Sequence, residues 1–305
     1  MINDQIPCLA GRQAMIKQFS IFNVQMFKKG KYLLLTGIFL GLALSSKWTA
    51  LYGIALCAIV YSIWYLVSGI QNTKYKILNT IYFLLCGFLA FIVIPAVVYL
   101  ISYIPFFLSG HNWEQFMEVT RQMWWYHTNL KATHGYQSIA LSWPLMIRPV
   151  WYYVKYGEGV IANIYAIGNP LIWWPGVAAV IVATVFSIQY LVYSISYRTH
   201  TKYQILNTKY QILLPLLAYF AFLVPWMFSP RIMFLYHYLP SLSFLILILS
   251  GILSRLMKYC QQSRVAVIGY FCLVVVVFVY FYPHNTAMMV PSGWANQYYW
   301  LPSWR

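Results

Sequence analysis

The stretch VAVIGYFCLVVVVFVYFY, residues 265–282, is eighteen residues long and contains no charged side chain. An α-helix rises about 1.5 Å per residue, so about 20 apolar residues cross the roughly 30 Å of hydrocarbon in a bilayer. Comparable apolar runs recur along the chain. The stretch therefore predicts a transmembrane helix, and its repetition predicts a protein that crosses the membrane several times.

Composition supports a membrane protein and excludes a soluble one. Of the 305 residues, 62% are hydrophobic and 8% are charged, whereas soluble domains average about 25% charged residues. The formal net charge is +16, which could suggest nucleic-acid binding. The basic residues form short clusters between apolar runs, however, as signals of membrane topology do. We therefore expect no nucleic-acid partner.

The apolar runs predict an all-α fold, a polytopic transmembrane helical bundle. The apolar runs are long enough for about seven spans. The long segment 102–169 between the third and the fourth span is not predicted to cross the membrane. The predicted spans are 32–46, 49–68, 77–101, 170–196, 211–228, 232–254 and 265–282.

Basic residues predict the orientation of these spans. Four clusters beside the predicted spans, at 28–31, 74–76, 198–209 and 255–264, lie on one side and contain eleven Lys and Arg residues and no acid. Cytoplasmic loops are enriched in Lys and Arg, so that side is predicted to be the cytoplasm, and the C-terminus is predicted to be extracytoplasmic. The resulting organisation is a cytoplasmic segment 1–31, three spans in 32–101, an extracytoplasmic loop 102–169, four spans in 170–282 and an extracytoplasmic aromatic tail 283–305.

The start of the long loop, residues 112–130, has a helical pattern of its own. Trp113, Phe116, Met117, Met123 and Trp124 fall on one face of a helix, with the charged side chains off that face. Such a pattern is typical of a helix that lies in the membrane interface.

Reactive and metal-binding patterns are sparse in this sequence. The five cysteines are scattered without CxxC spacing, which indicates packed free thiols. His127 and His134 are seven residues apart, but no Cys or paired acid stands at ligand spacing, so we predict no metal site. Walker, GxSxG and HExxH motifs are absent, and Asp4 is the only aspartate.

Two cations stand where the predicted topology does not favour positive charge. Lys47 follows the short first span, and Arg231 is predicted to begin the sixth. Each is either an interfacial anchor that snorkels to the headgroups or an anion site, most naturally for a phosphate. On a helix, Arg231 and His237 would lie about 9 Å apart on different faces.

The long loop contains the remaining polar candidates. His127, Asn129 and His134 lie near its middle. Arg148 precedes Pro149, which restricts it to an extended conformation. Stacking on aromatic rings and contact with a phosphate are both open for this arginine.

Several strings in the chain resemble the protein O-mannosyltransferase family, integral membrane enzymes with the GT-C glycosyltransferase fold. They occur in the family's order and span nearly the whole chain: GLALSSKWTALY (41–52), YHTNLKATHGYQS with SWPLMIRPVWYY (126–153), IYAIGNPLIWWPG (164–176) and RIMFLYHYLP (231–240).

The resemblance implies transfer of mannose from a polyprenyl- or dolichyl-phosphate mannose donor to Ser or Thr of exported proteins, on the outer face. It implies a multi-pass protein, in the plasma membrane if the source is prokaryotic. It also implies eleven spans and a catalytic acidic pair, so four spans and that pair are expected upstream of Met1. The candidates for the donor phosphate are Lys47, Arg148, Arg231 and His237, and those for the loop on the acceptor side are His127, Asn129, His134 and Tyr236.

Two alternatives to this function remain. One is another GT-C glycosyltransferase that uses a lipid-phosphate sugar, and the other is a polytopic subunit that binds or transports lipid without catalysis. The repeated broken helices typical of transporters are not found in the sequence. Metal requirement, oligomeric state and acceptor are left open.

Overall fold

The computed structural model describes residues 30–68, 76–196 and 204–305, most of which are helical. The helices are α1 (Gly30–Ser46), α2 (Ala50–Ser68), α3 (Lys76–Phe88), α4 (Ile94–Ser102), α5 (Ile104–Leu108), α6 (Trp113–Asn129), α7 (Pro170–Ser196), α8 (Gln204–Met227), α9 (Leu239–Tyr259), α10 (Gln261–Asn285) and α11 (Ser292–Ala295), and the strands are β1 (Trp151–Gly157), β2 (Val160–Tyr165) and β3 (Val290–Pro291).

The described residues fall into two compact units that divide between Phe116 and Met117. In the first unit, a π-helical turn at Leu89–Val93 joins α3 to α4. Pro95 lies just beyond this turn and lacks the N–H that a regular helix would use, so a widened turn accommodates it. α1 packs closely on this segment: a Cβ added at Gly37 would lie 2.6 Å from the carbonyl oxygen of Ala90.

In the second unit, α9 lies between α7, α8 and α10 and contacts all three. Leu245 and Ile248 of α9 are fully buried. Gly176 lets α7 approach this helix, since a Cβ at that position would lie 1.9 Å from Leu245 Cδ2. Small residues at such crossings let helices pack closely where lipid supplies no hydrophobic drive.

A small antiparallel sheet in the order β1-β2-β3 lies beside this bundle. β1 and β2 form a hairpin in which Gly157 pairs with Val160, and Gly159 occupies the left-handed conformation that the tight turn requires. β3 comes from the C-terminal segment and pairs Val290 with Ile161. The sequence did not predict this sheet.

The helical membrane architecture is confirmed. Among the residues that the structure describes, four helices are long and apolar enough to cross a bilayer: Thr80–Leu108, Pro170–Gln189, Leu235–Tyr259 and Gln261–Asn285. Three shorter apolar helices, Gly30–Ser46, Ala50–Leu66 and Ile212–Met227, coincide with the other predicted spans. The count of seven spans, the domain boundaries and the orientation stay predictions, and most of the predicted cytoplasmic segment 1–31 lies outside the described residues.

Helix α6 forms where the pattern of 112–130 predicted a helix. Phe116 is its one buried residue, while Trp113 and Trp124 are 57% and 64% exposed. At the start of the helix, the backbone N–H of Gln115 donates a hydrogen bond to Asn112 Oδ1. Its position in a membrane interface stays a prediction.

Candidate functional site

The segment that joins α8 to α9 does not have the form that the sequence suggested. The prediction that Arg231 begins the sixth span as a helix is wrong, because α9 begins at Leu239 and a single 3-10 turn, Leu235–Tyr238, precedes it. The backbone of Phe234 is extended, so residues 231–237 do not form one continuous helix. Arg231 Nη2 lies 2.7 Å from His237 Nε2, whereas a continuous helix would separate the two residues by about 9 Å along its axis.

The contacts of His237 define its protonation. An arginine can only donate, so Nε2 must accept from Arg231 and the imidazole must be neutral with its proton on Nδ1. Nδ1 lies 3.0 Å from the carbonyl oxygen of Phe234, which accepts its N–H. Two hydrogen bonds thus fix both the ring and the guanidinium that it orients.

Aromatic rings enclose the imidazole. His237 is 2% exposed. It stacks on Tyr236 at 4.5 Å and on Trp143 at 6.0 Å, and the ring of Trp226 meets it edge-on at 4.5 Å. These walls exclude water from the side of the imidazole opposite Arg231.

Arg231 itself has spare hydrogen-bond donors. Its guanidinium lies 5.7 Å from the ring centre of Tyr126 and 5.8 Å from that of Trp226. Its Nε is buried and has no acceptor among the residues that the structure describes, and within that part of the chain Arg231 forms no salt bridge. A cation with aromatic faces on two sides and no carboxylate partner is suited to bind an anion.

Two further predicted residues, His134 and Tyr236, belong to the same cluster. Tyr236 stacks on Phe234 at 5.5 Å, and His134 meets Phe234 edge-on at 5.3 Å. Tyr152 of β1 lies 6.4 Å from the ring of Tyr236. Burial raises the pKa of the Tyr152 phenol, and Tyr236 raises it further, so Tyr152 is a neutral donor at physiological pH.

The predicted residues of α6 lie near its C-terminal end. Asn129 Nδ2 donates to Thr128 Oγ1 at 2.7 Å, and the Asn129 side chain is exposed. His127 is half-buried beside the ring of Tyr126, which covers Arg231. α6 thus connects to the cluster through Tyr126, a residue that the sequence did not single out.

Arg148 is engaged elsewhere, with backbone carbonyls. Its Nη1 donates to the backbone oxygens of Ser303 and Arg305, both at 2.8 Å, and Nη2 donates to the oxygen of Gly135 at 3.0 Å. The guanidinium also lies 4.8 Å from the ring centre of Tyr136. Of the two possibilities that the sequence left open, these contacts support stacking and a structural role that joins the loop to the C-terminal segment.

Replacing Arg148 by alanine should therefore lower stability and leave the affinity for a lipid phosphate nearly unchanged. Loss of hydrogen bonds from a charged donor to three carbonyls, partly compensated by water, is expected to cost about 2 kcal/mol. Thermal unfolding in detergent and a binding titration on the same sample measure the two effects. A large loss of affinity without a loss of stability would restore the phosphate role of Arg148.

Lys47 lies in the first unit, in the turn between α1 and α2, and is exposed. The turn is held by backbone bonds from Lys47 N to Ala43 O and from Ala50 N to Lys47 O, each 3.0 Å. The neighbouring Trp48 donates its indole N–H to Tyr99 Oη at 3.1 Å. The phosphate role of Lys47 stays a prediction.

The structure also shows what sequence reasoning missed. Trp143 is completely buried, stacks on His237 and accepts the indole N–H of Trp173 on its carbonyl oxygen at 2.9 Å. Its only signal was its place in the string SWPLMIRP. Within the described residues, no group of three or more His, Cys, Asp or Glu side chains lies close enough together to hold a metal ion.

Comparison with protein families divides the chain close to the boundary between its two units. Residues 14–109 match the model "Dolichyl-phosphate-mannose-protein mannosyltransferase". Residues 112–304 match the model "C-terminal four TMM region of protein-O-mannosyltransferase". The second match alone includes more than half of the chain and all residues of the cluster around Arg231 and His237, from Tyr126 to His237.

Relatives of the chain are also named as protein mannosyltransferases. A polyprenol-phosphate-mannose–protein mannosyltransferase of Corynebacterium glutamicum is 24% identical over 88% of this chain and 57% of its own length. Dolichyl-phosphate-mannose–protein mannosyltransferase 5 of Saccharomyces cerevisiae is 26% identical over 63% of this chain and 26% of its own length. The chain thus spans little more than half of the bacterial relative, and a smaller share of the yeast one.

A solved structure shares the fold. It is the Saccharomyces cerevisiae protein O-mannosyltransferase Pmt1-Pmt2 complex bound to the sugar donor, with a TM-score of 0.53 and 27% identity over 64% of this chain and 27% of that chain. Family models, relatives and fold agree with the strings quoted above. This chain belongs to the protein O-mannosyltransferase family of membrane glycosyltransferases.

Proposed function

We propose that this chain binds polyprenyl-phosphate mannose and holds it for transfer of mannose to Ser or Thr of exported proteins. The observation that supports this most is the Arg231–His237 pair, a fixed guanidinium with spare donors among aromatic rings. Names of the relatives support a lipid-phosphate mannose donor. The charge of the loops supports placing the cluster on the extracytoplasmic face.

The chemistry of such a donor fits the cluster. Transfer breaks the bond between the sugar's anomeric carbon and a phosphate oxygen, and negative charge grows on the phosphate as the bond breaks. A hydrogen-bond donor of the protein that is already oriented toward the phosphate stabilises that charge without reorganisation. His237 keeps the guanidinium of Arg231 in place, so we assign Arg231 to the phosphate and His237 to its positioning.

Other residues receive more peripheral roles. We assign four residues near the Arg231–His237 pair and the end of α6 to the acceptor side: Tyr236, His134, His127 and Asn129. Lys47 remains a second candidate for a phosphate. The acceptor hydroxyl also needs a base. Glu118 is paired with Arg121 at 2.8 Å on the exposed side of α6, so we do not assign that role to it.

A competition experiment tests the proposal: unlabelled ligands compete with a photoreactive polyprenyl phosphate for its binding site. The chain is purified in lipid nanodiscs, and polyprenyl-phosphate mannose, polyprenyl phosphate and the free polyprenol of equal length compete for labelling. We expect both phosphates to compete and the polyprenol to fail. Equal competition by the polyprenol would indicate a lipid-binding subunit, and a preference for another sugar would indicate a different glycosyltransferase.

A further inference from the structure

Strand β1 lies at the edge of its sheet. In the part of the chain that the structure describes, it pairs with β2 on one side and with no strand on the other. Five of its seven residues are exposed. An edge of this kind presents unpaired N–H and C=O groups to any extended chain that approaches it.

The hairpin turn indicates which backbone groups face outward. A two-residue turn closes with hydrogen bonding between its flanking residues, here Gly157 and Val160. Hydrogen-bonded and non-hydrogen-bonded pairs alternate along an antiparallel ladder. Lys155 therefore also bonds to β2, whereas Val154 and Tyr156 direct their amide and carbonyl groups to the open edge.

β1 presents three exposed aromatic side chains, with Tyr153 and Tyr156 on opposite faces of the sheet. Tyr152, Tyr153 and Tyr156 are 55%, 45% and 69% exposed. Each offers a flat apolar ring with a phenol at its tip, which contacts a peptide over a large area at small entropic cost. Lys155 is the only charged side chain in the strand.

One end of the edge reaches the cluster around Arg231. The register of β1 shifts between Trp151 and Tyr153, which leaves Tyr152 out of the ladder. The ring of Tyr152 lies 6.4 Å from that of Tyr236, which stacks on His237, the partner of Arg231. A chain paired along β1 would therefore run toward the residues assigned to the donor phosphate.

We propose that the open edge of β1 binds the acceptor polypeptide as an added strand. This inference rests on the proposed function, since it names the acceptor-binding surface of that site. Backbone pairing suits an acceptor that is defined by a hydroxyl and not by a long recognition sequence, because main-chain bonds give affinity that is independent of side chains. A segment rich in Ser and Thr is also easily held extended.

Charge favours such a polypeptide over a second copy of this chain. A copy paired through β1 would bring Lys155 close to Lys155, on a chain of formal net charge +16. Like charges across an antiparallel pair are destabilising. An uncharged or acidic peptide meets no such repulsion.

Backbone methylation of an acceptor peptide tests the pairing. The probe is a fluorescent Ala/Thr/Ser peptide of the same length as β1, and in each analogue one backbone amide is N-methylated. Binding to the chain in nanodiscs is measured by fluorescence anisotropy. We expect methylation at every second residue to weaken binding about tenfold, because each removes one N–H that faces β1, and methylation between them to have little effect.

A substitution on the protein side supplies the matched comparison. Tyr156→Pro removes one outward N–H at an edge position where proline is tolerated, and Tyr156→Thr keeps the N–H while removing the ring. The first should lose about tenfold more peptide affinity than the second. The peptide series uses the unaltered chain, so it remains decisive if the proline variant does not fold.

The outcomes separate this inference from the proposed function. Polyprenyl-phosphate binding is measured on the same samples. Methylation that weakens binding at every position alike, or at none, would overturn the strand pairing, and intact lipid-phosphate binding would leave the proposed function standing. Cross-linking of two copies through Tyr156→Cys, in a variant without other cysteines, would overturn it in favour of self-association. The alternating pattern without lipid-phosphate binding would support the pairing and contradict the function.

Discussion

Replacing Arg231 by alanine is expected to weaken the binding of polyprenyl-phosphate mannose by about 10- to 100-fold. A charge-assisted hydrogen bond to a phosphate contributes about 1.5–3 kcal/mol, and a factor of ten in affinity corresponds to about 1.4 kcal/mol. Alanine removes the charge together with every spare donor of the guanidinium. Competition labelling with the photoreactive polyprenyl phosphate measures the change.

Two variants make this measurement specific. Arg231→Lys keeps the charge but loses the planar donors that span His237 and a phosphate, so we expect an intermediate affinity. Arg121→Ala removes an arginine whose side chain is 75% exposed and paired with Glu118, and it should bind the donor as the unaltered chain does. If Arg231→Ala folds normally and binds the donor with unchanged affinity, the phosphate site lies elsewhere.

The helices could be predicted from the sequence because a bilayer leaves few alternatives. A segment in hydrocarbon must satisfy its own backbone hydrogen bonds, so each long apolar run predicts a helix. Residues 265–282 lie entirely within α10, Gln261–Asn285. Where a helix begins is less constrained. The sixth span was predicted from residue 232, but Pro240 stands in the first turn of α9, where proline is favoured.

The sequence predicted which residues form the site, but not how they are arranged in space. Arg231 and His237 were both selected, but a helix was assumed between them, and a helix would have kept them apart. The extended backbone at Phe234 brings them together. The walls of the cluster could not be predicted, because nothing in a single sequence distinguishes Trp143, which is buried, from Trp124, which is exposed.

The sheet escaped prediction for a different reason. β1 reads WYYVKYG and lacks a clear alternation of apolar and polar residues. Its partner β2 also pairs with β3, which follows 125 residues or more later in the chain. Pairing over such a separation leaves no local signal. The aromatic tail 283–305 was predicted only as an extracytoplasmic segment, although Tyr298 and Trp304 in it are buried in the protein.

Trp304 shows how closely that tail is packed. Its side chain is completely buried, and its indole N–H donates to the carbonyl oxygen of Met146 at 2.7 Å. Met146 adopts a left-handed conformation, φ 54°, which is unfavourable for a residue with a Cβ. The Met146 thioether in turn accepts the N–H of Gly168 at 3.2 Å. Trp304 thus stabilises the strained backbone at Met146, two residues before Arg148.

Replacing Trp304 by alanine is therefore expected to destabilise the second unit by about 3–5 kcal/mol. Truncation of a buried tryptophan leaves a cavity and removes its apolar contacts, here with Phe281 and Trp174, and the variant also loses the bond to Met146. For a unit of this size, each 1 kcal/mol lowers the melting temperature by about 2–4 °C. Thermal unfolding in detergent should therefore shift by about 10 °C.

Trp294 in the same tail provides the matched control, since its side chain is 60% exposed. Trp294→Ala should change stability by no more than about 0.5 kcal/mol, as exposed substitutions usually do. Trp304→Phe keeps most of the ring volume but loses the indole N–H, and it should fall between the two. Equal destabilisation by Trp304→Ala and Trp294→Ala would mean that interactions with detergent or lipid, and not burial against Met146, stabilise the tail.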